Sequence, residues 1–463
     1  MNKEQRTREG RSTGPEARAA PSLHSSLIPH PSSLVTAHPS SLRFATVTLG
    51  CKVNQYETEY VREGLLRLGC EEAADGQQAD LCVVNTCTVT AEGDLKSRKV
   101  IRQLARRHPR AAIIVMGCYA TRAPDEVAAL PGVAEVLTDK GQLPDLLARL
   151  GLVDVPSGIS TFGRRHRAYV KVQDGCRMQC AYCIIPKVRP VLRSRPVEQV
   201  LQEVARLVDH GHREIVLTGI HLGHYGVDLA GGGQTDLSSL VERIAAMDGD
   251  FRLRLSSLEA AEVTPRLIDV LAGHPDRICP HLHLSMQSGS DAVLQRMQRR
   301  YTSRQFIGQC QRIGLALDRP ALTTDVIVGF PGETEADFLA TCEAVQQVGF
   351  SKIHVFRFSR REGTAAADLP DQVPGPVKRR RGAELAERGR RLRRRFFEGL
   401  LGRPMQVLVE SPDAEHAGLL VGTSERYAPV ELRADDASLG RLVRCRAGSV
   451  VGGRIRATGG TAG

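Results

Sequence analysis

The chain has 463 residues, 41% of them hydrophobic, and this length favours two or three domains over a single core. Its formal net charge of +11 favours a polyanionic partner such as nucleic acid, although a high-GC genome, whose proteins are rich in Arg, would explain part of the excess positive charge. No stretch approaches the ~18 apolar residues of a membrane span and no apolar signal core follows the basic N-terminus, so we predict a cytoplasmic protein with no membrane partner. Twelve unevenly grouped cysteines favour metal ligation over disulfides.

The first segment, residues 1–42, carries the sequence HPSSL twice, at residues 30–34 and 38–42. Periodic hydrophobicity is nearly absent from this segment. We therefore predict a disordered extension, and a mispredicted start codon would explain it equally well.

Strand-like and helix-like patterns alternate from residue 43 to about residue 153. The predicted strands cover residues 44–49, 81–84 and 112–116, and the predicted helices cover residues 55–68 and 91–107. Such alternation is typical of an α/β domain with a doubly wound parallel sheet.

A cysteine follows each of these predicted strands: Cys51, Cys87 and Cys118. Parallel strands share one carboxyl edge, where open α/β folds bind their ligands, so we expect the three thiols to converge there. The alternative is that they are small buried hydrophobic residues. That alternative suits Cys70 and Cys82 but does not explain three positions at strand ends.

Three further thiols lie within one short loop, at Cys176, Cys180 and Cys183. Thiolates select zinc, copper(I) or iron–sulfur clusters. A structural zinc site normally has pairs of ligands two residues apart and a fourth similar ligand, whereas here the first gap is three residues and no fourth cysteine follows nearby. A cubane held by three thiolates leaves one iron open to substrate. The loop therefore predicts a catalytic cluster, with a structural zinc loop as the alternative.

The spacing of this loop, with Tyr182 before its last cysteine, resembles the signature of radical S-adenosylmethionine (SAM) enzymes. The segments LGCKVNQYETE (residues 49–59), NTCTVT (residues 85–90) and GCYA (residues 117–120) resemble the N-terminal module of radical-SAM methylthiotransferases. The resemblance extends over nearly everything after Arg43.

This resemblance implies two [4Fe-4S] clusters and SAM as cofactors. In such enzymes one electron from the cluster breaks the sulfonium bond of SAM and yields a 5′-deoxyadenosyl radical. The implied ligands are Cys51, Cys87 and Cys118 for an auxiliary cluster, and Cys176, Cys180 and Cys183 for the catalytic SAM cluster.

After a Gly- and Pro-rich linker at residues 151–165, a second alternating pattern occupies a domain predicted at residues 162–395. Its strands are predicted at residues 169–172, 214–217, 252–255, 281–284, 322–328 and 353–358. Six units predict a partial (β/α)6 barrel with its function at the carboxyl ends of the strands. An incomplete barrel leaves a lateral opening, through which a polymer can present one residue.

Several of the predicted strand ends carry candidates for SAM binding. Small residues let the backbone approach a ligand, and acidic, amide and hydroxyl side chains offer partners for the amino and ribose groups of SAM. The predicted contacts are Tyr182, Gly219, Ser257, Glu259, Gln287 and Ser288. Ordinary loop and cap chemistry is the alternative at each position. The Gly-Gly-Glu found in other radical-SAM enzymes is missing, so the partner of the SAM amino group stays open.

Residues 378–395 hold ten Lys or Arg against two acids, a local balance of about +8. This pattern predicts a basic helix along phosphates, with a solvated amphipathic face as the alternative. Residues 396–460 contain short strand-like runs broken by Gly and Pro, which predict a small β-barrel. By resemblance this barrel is the TRAM domain, which binds tRNA, although aromatic residues for base stacking are few.

The family resemblance implies a transferase that inserts sulfur, and then a methyl group from a second SAM, at C2 of adenosine 37 beside the tRNA anticodon. It implies the tRNA anticodon stem-loop as partner, together with an electron donor of flavodoxin or ferredoxin type and a sulfur donor.

The text around Cys51 has no Met before Asn54 and no Pro after the cysteine, and resembles the subclass acting on N6-threonylcarbamoyladenosine. The alternatives are an isopentenyladenosine in tRNA, a ribosomal protein and, in another class, a noncatalytic iron–sulfur RNA-binding protein.

Overall fold

The computed structural model describes residues 42–163, 165–229 and 235–462. The predicted extension at residues 1–42 lies outside these ranges except for Leu42, whose side chain is buried. No helix within the described ranges is long and apolar enough to cross a membrane.

The N-terminal unit is a five-stranded sheet in which every neighbouring pair is parallel, in the order β2-β1-β3-β4-β5. Its strands are β1 (Arg43–Thr48), β2 (Glu71–Glu72), β3 (Leu81–Thr86), β4 (Ala112–Gly117) and β5 (Val133–Val136). Its helices are α1 (Lys52–Arg67), α2 (Ala91–Arg107), α3 (Cys118–Arg122), α4 (Pro124–Ala128) and α5 (Leu143–Arg149). The predicted doubly wound parallel sheet is confirmed.

The central strands of this sheet are covered on both faces, because every residue of β3 and β4 is buried. Alternate residues of a strand point to opposite faces. Val83 therefore packs with α1 and α5 in one layer, whereas Val84 packs with α2 in the other.

The predicted linker at residues 151–165 packs against the next unit over the part that the structure describes. Ile159 and Phe162 are buried, and their backbone N–H groups donate to Glu203 (2.7 Å) and His212 (3.1 Å) of the next unit. The Gly and Pro content of this segment reflects a packed turn against the barrel rather than freedom between domains.

The central unit contains six parallel strand positions, with β9 and β10 forming one nearly continuous position, and a short antiparallel strand β7 beside β6. Its strands are β6 (Arg167–Asp174), β7 (Arg193–Ser194), β8 (Glu214–Gly219), β9 (Arg252–Leu255), β10 (Ser257–Leu258), β11 (His281–Leu284), β12 (Ala321–Val328) and β13 (Lys352–Arg357). The predicted partial barrel is confirmed.

The helices of this unit separate its parallel strands, and a long helix follows the last one. They are α6 (Ile185–Val188), α7 (Val197–Asp209), α8 (Leu237–Ala245), α9 (Pro265–Gly273), α10 (Asp291–Arg296), α11 (Ser303–Ala316), α12 (Glu335–Val348) and α13 (Gly375–Glu398). Helix α13 contains the predicted basic segment and ends at Glu398.

The C-terminal unit is a closed barrel with strand order β14-β15-β16-β18-β17, which confirms the predicted small β-barrel. Its strands are β14 (Pro404–Pro412), β15 (Leu420–Ser424), β16 (Pro429–Leu432), β17 (Leu442–Val451) and β18 (Arg454–Ala462). The sequence did not reveal β18, because its Gly, Thr and Arg residues lack the apolar alternation of a strand.

This small barrel covers the amino-terminal end of the central barrel. Arg252 donates to the carbonyl oxygens of Gln406 (2.6 Å) and Thr423 (2.8 Å), and the Tyr427 ring lies 4.9 Å from the His281 ring. Access to the interior of the central barrel from this end is therefore restricted by the C-terminal unit.

Candidate active site

The loop with Cys176, Cys180 and Cys183 follows β6 at the carboxyl edge of the central barrel. Backbone hydrogen bonds hold it in place: Cys176 N–H donates to the Arg189 carbonyl (3.0 Å) and Ala181 N–H donates to the Met297 carbonyl (3.0 Å). Backbone hydrogen bonds from both halves of the loop to other segments thus fix its position without a cofactor.

Two of these three thiols have a basic side chain beside them. Arg299 Nη1 donates to Cys180 Sγ (3.2 Å), and Cys176 Sγ lies 3.6 Å from His221 Nδ1. Burial raises the pKa of the Cys183 thiol to about 12. A thiolate at Cys183 therefore needs a cationic centre beside it, which a bound metal cluster supplies.

The distances between the sulfur atoms of each cysteine triad help to distinguish a site for one metal ion from a site for a cluster. A tetrahedral zinc with Zn–S bonds near 2.3 Å holds its sulfur atoms about 3.8 Å apart. Among the described residues, three groups of side chains place their ligand atoms within 4.8 Å of one another, and neither cysteine triad is one of them. At least one pair of sulfur atoms in each triad therefore lies more than 4.8 Å apart, a spacing that suits a cluster better than one zinc ion.

Four of the six predicted SAM contacts line the same cavity as this cysteine loop. They are Tyr182, Ser257, Glu259 and Gln287. Gln287 also has a left-handed backbone (φ 62°), which is rare for a residue other than glycine and is typical of functional sites.

The other two predicted contacts, Gly219 and Ser288, do not line this cavity. Gly219 packs closely on Gln173, and the Ser288 hydroxyl bonds with Thr341 (3.2 Å) and accepts from Ser290 N–H. Both residues shape the strand ends in the structure without facing the cysteine loop.

Two residues of this cavity were missed by the sequence prediction, Arg299 and His221. The Arg299 guanidinium forms an ion pair with the Glu259 carboxylate as well as the bond to Cys180. Glu259 thus has a cationic partner before any ligand binds. No spacing in the sequence distinguishes Arg299 from its neighbour Arg300.

His221 lies between the cysteine loop and an acidic side chain, Glu262, with which its Nε2 bonds. Burial opposes protonation of His221, but its hydrogen bonds to Cys176 and Glu262 raise the pKa of the imidazole to about 10. His221 therefore links the Cys176 side of the loop to the Glu262 carboxylate.

The second triad lies at the carboxyl edge of the N-terminal sheet, as predicted. Cys51, Cys87 and Cys118 follow the adjacent parallel strands β1, β3 and β4. Gly50 and Gly117 precede two of these cysteines with positive φ, and an added Cβ would approach Cys87 Sγ (3.2 Å) or Asn85 Oδ1 (2.3 Å) respectively. Glycine is required where these loops meet.

One arginine outside both triads connects them. The Arg189 carbonyl accepts from Cys176 N–H (3.0 Å), while its Nε donates to Cys118 Sγ (3.4 Å). The guanidinium is buried and also pairs with Glu57 (2.7 Å) and Asp174 (2.8 Å). The sequence prediction missed Arg189, because its role depends on contacts across two domains.

Comparisons with known proteins agree with this arrangement. An uncharacterized protein family, UPF0004, matches residues 43–138, and the radical SAM superfamily matches residues 170–345. The threonylcarbamoyladenosine tRNA methylthiotransferase MtaB of Bacillus subtilis (strain 168) is 38% identical over 422 residues, covering 86% of this chain and 92% of that protein.

A protein of the same name from Thermotoga maritima is 36% identical, covering 89% of this chain and 98% of that protein. In fold, the chain is similar to TsrM, a radical S-adenosylmethionine methyltransferase from Kitasatospora setae, with a TM-score of 0.52 at 15% identity over 71% of this chain and 77% of that chain. Since relatives above 30% identity match almost over their full length, the chain belongs to the radical-SAM methylthiotransferase family.

Proposed function

We propose that this enzyme methylthiolates C2 of N6-threonylcarbamoyladenosine at position 37 of tRNA, giving 2-methylthio-N6-threonylcarbamoyladenosine. The observation that carries the proposal is the near full-length similarity to transferases named for that nucleoside, at 38% and 36% identity. The presence of both cysteine triads, each at the carboxyl edge of its own sheet, supports the same reaction class.

The residues present fit two [4Fe-4S] clusters and SAM, because each triad has three thiols, no fourth cysteine beside it and sulfur atoms spaced more widely than those around one zinc ion. Cys176, Cys180 and Cys183 would hold one cluster, and Cys51, Cys87 and Cys118 the other. When bound, these groups supply radical hydrogen abstraction from an unreactive C–H bond, sulfur, and the methyl group.

The chain's own side chains prepare the site for this chemistry. Arg299 places a cation beside the Cys180 sulfur and fixes the Glu259 carboxylate. Tyr182, Ser257 and Gln287 line the cavity above the cysteine loop and are proposed as SAM contacts. Ser257 and Gln287 lie at strand ends of a packed barrel, which gives this part of the site a rigid support.

The RNA is proposed to contact helix α13 and the C-terminal barrel, which we interpret as a TRAM domain. Arg391 and Arg394 of α13 are about three-quarters exposed, and their partners are neighbouring glutamates on the same helix. Exposed pairs of this kind contribute little energy and leave the arginines available for phosphates. A cytoplasmic location, a flavodoxin- or ferredoxin-type reductant and a separate sulfur donor complete the proposal.

The function is tested with anaerobically reconstituted enzyme, SAM and a reductant. Three substrates are offered separately: tRNA carrying the threonylcarbamoyl nucleoside, tRNA carrying the isopentenyl nucleoside, and ribosomal proteins. We expect methylthiolation of the first substrate alone, together with 5′-deoxyadenosine formation. A product on either of the other two would contradict the substrate assignment, and absence of SAM cleavage would favour a noncatalytic RNA-binding protein.

A further inference from the structure

A polar chamber of about 250 Å³ lies inside the central barrel, between the cysteine loop and the C-terminal unit. Alternate residues of β11, β12 and β13 share one face, which lines this chamber. These lining residues are His281, His283, Thr323, Asp325, Lys352 and His354. Lys52 reaches the chamber from the N-terminal unit.

The chamber adjoins both candidate cluster sites. Ser257 lines the chamber and also the cavity that contains Cys176, Cys180 and Cys183. Lys52 directly follows Cys51 of the other triad. If a substituent of a nucleobase is bound in the chamber, the base itself therefore lies next to both candidate cluster sites.

The charge of the chamber is strongly positive. Four cationic side chains line it, and the single acidic residue among the lining residues is Asp325. Two of the cations, Arg167 and Arg254, are paired with the buried Glu214 at 2.6 and 2.8 Å. Within the described ranges, neither Lys52 nor Lys352 has a carboxylate oxygen within 4.0 Å of its ammonium group.

Uncompensated cations in a partly enclosed space favour an anionic ligand, since a buried charge is costly unless it is paired. The ligand atoms of His283, Asp325 and His354 lie within 4.8 Å of one another. A metal ion at that position is nevertheless opposed by Lys52 and Lys352, which are unpaired among the described residues, so a carboxylate is the better occupant.

The chamber also offers unused hydrogen-bonding capacity. His281 is 6% exposed, and its Nδ1 has no hydrogen-bond partner. Burial and the neighbouring Lys352 lower the pKa of His354 below its ordinary value, which keeps that imidazole neutral and able both to donate and to accept. Hydroxyl and amide groups would satisfy such side chains.

The size of the chamber limits what can occupy it. A volume of about 250 Å³ is below the ~300–1,000 Å³ typical of sites for whole drug-sized ligands. It suits the substituent of a base better than an entire nucleotide. The substituent must carry an anion and hydrogen-bonding groups, which an isopentenyl group lacks.

We propose that this chamber receives the N6-threonylcarbamoyl substituent of the substrate, with Lys52 and Lys352 facing its carboxylate. The assignment rests on the proposed function and adds the residues that select the substrate. A site whose polar groups pair with the ligand strongly rejects an analogue that lacks those hydrogen-bonding groups. A hydrophobic pocket rejects a ligand of similar shape that carries an added polar group much less strongly.

The test compares binding of two anticodon stem-loops by the full-length protein at one fixed salt concentration. One stem-loop carries N6-threonylcarbamoyladenosine at position 37 and the other carries unmodified adenosine. We expect the wild-type protein to prefer the first, and the double variant Lys52→Gln/Lys352→Gln to lose about tenfold or more of that preference, because charged hydrogen bonds are removed. Affinity for the unmodified stem-loop should change much less.

Three controls protect this comparison from indirect effects. Lys99→Gln removes an exposed lysine on α2 outside the chamber, and should leave the preference unchanged, because a general loss of positive charge acts on both stem-loops alike. Lys352→Gln alone, which is remote from Cys51 in sequence, should lose part of the preference. The third control is a stem-loop in which the threonyl carboxylate is replaced by a carboxamide. Its affinity for the wild-type protein should equal the affinity of the intact threonylcarbamoyl stem-loop for the double variant.

The possible outcomes are distinguishable. If the wild-type protein prefers the threonylcarbamoyl stem-loop and the double variant keeps that preference in full, the chamber assignment is overturned while the proposed function stands. If the wild-type protein shows no preference and modifies isopentenyladenosine instead, the proposed function is overturned and the chamber assignment with it.

Discussion

At the scale of single residues, Arg189 is the contact that joins the two cysteine triads. Its guanidinium is buried with Glu57 and Asp174, and Lys171 is the other cation of the group. Although burial opposes ionisation, Lys171 and Arg189 hold the pKa of Asp174 below its usual range. The network thus depends on charge balance among largely buried side chains.

We predict that Arg189→Met destabilises the protein by about 3–5 kcal/mol, because two buried carboxylates are left with one lysine. The measurement is the shift of the urea unfolding curve. Arg193→Met is the matched control: its partner Asp139 and Arg193 itself are nearly half exposed, so the loss should stay below about 1 kcal/mol. Equal effects of the two substitutions would contradict this account of Arg189.

The two triads also predict the iron content of cysteine variants. Replacing Cys176, Cys180 and Cys183 by Ala should remove about half the iron and all SAM cleavage, because one of two equal clusters is lost. Replacing Cys51, Cys87 and Cys118 should remove the other half, yet leave SAM cleavage measurable. Iron analysis after anaerobic reconstitution checks both, and a triple variant with full iron would show that its triad holds no cluster.

The sequence was sufficient to predict where the six cysteines lie, three in one loop after a barrel strand and three at the carboxyl edge of the N-terminal sheet. Their role as cluster ligands stays a prediction. The sequence was not sufficient to predict the roles of Arg299, Arg189 and Lys52. A single basic residue has no local signature, and each of these acquires its role from partners far away in the chain, such as Glu259 for Arg299 and Cys118 for Arg189.

At the scale of elements, helix α13 divides its basic residues between packing and solvent. Leu385, Leu392 and Phe396 are buried on one face, and Arg381 on that face pairs with the buried Glu333 (2.7 Å). Its arginines on the other face, among them Arg391, remain exposed. The predicted charge of this segment is therefore only partly available to RNA.

We predict that neutralising Arg380, Arg391 and Arg394 to Gln weakens tRNA binding and lowers the salt slope by about 2–3, since fewer counterions are released. Binding is measured over a range of salt concentrations. Arg243→Gln, an exposed arginine on α8, serves as the control. An unchanged slope in the triple variant would place the phosphate contacts elsewhere, most directly on the C-terminal barrel.

The elements with strong periodicity were predicted well, because apolar alternation is imposed by burial on one or both faces. Strand β18 was missed, because it closes the barrel through backbone hydrogen bonds to its neighbouring strands and its sequence contains few apolar residues. The packing of the segment at residues 151–165 was not predicted for a related reason: Gly and Pro mark turns, and whether a turn is packed depends on the neighbouring barrel.

At the scale of the whole molecule, the three units enclose one polar interior. The N-terminal unit contributes Lys52, and the C-terminal unit closes the amino end of the central barrel with Tyr427. The cysteine loop lies at the opposite, carboxyl edge. The substrate base must then enter from the cluster side, which matches a reaction at C2 with the N6 substituent directed inward.

The central claim is that the physiological substrate is the threonylcarbamoyl nucleoside of tRNA, and nucleoside mass spectrometry of tRNA from a strain lacking this gene tests it most directly. We predict that 2-methylthio-N6-threonylcarbamoyladenosine disappears while its precursor without the methylthio group accumulates. Loss of the methylthio-isopentenyl nucleoside instead, with the threonylcarbamoyl product unchanged, would contradict the account.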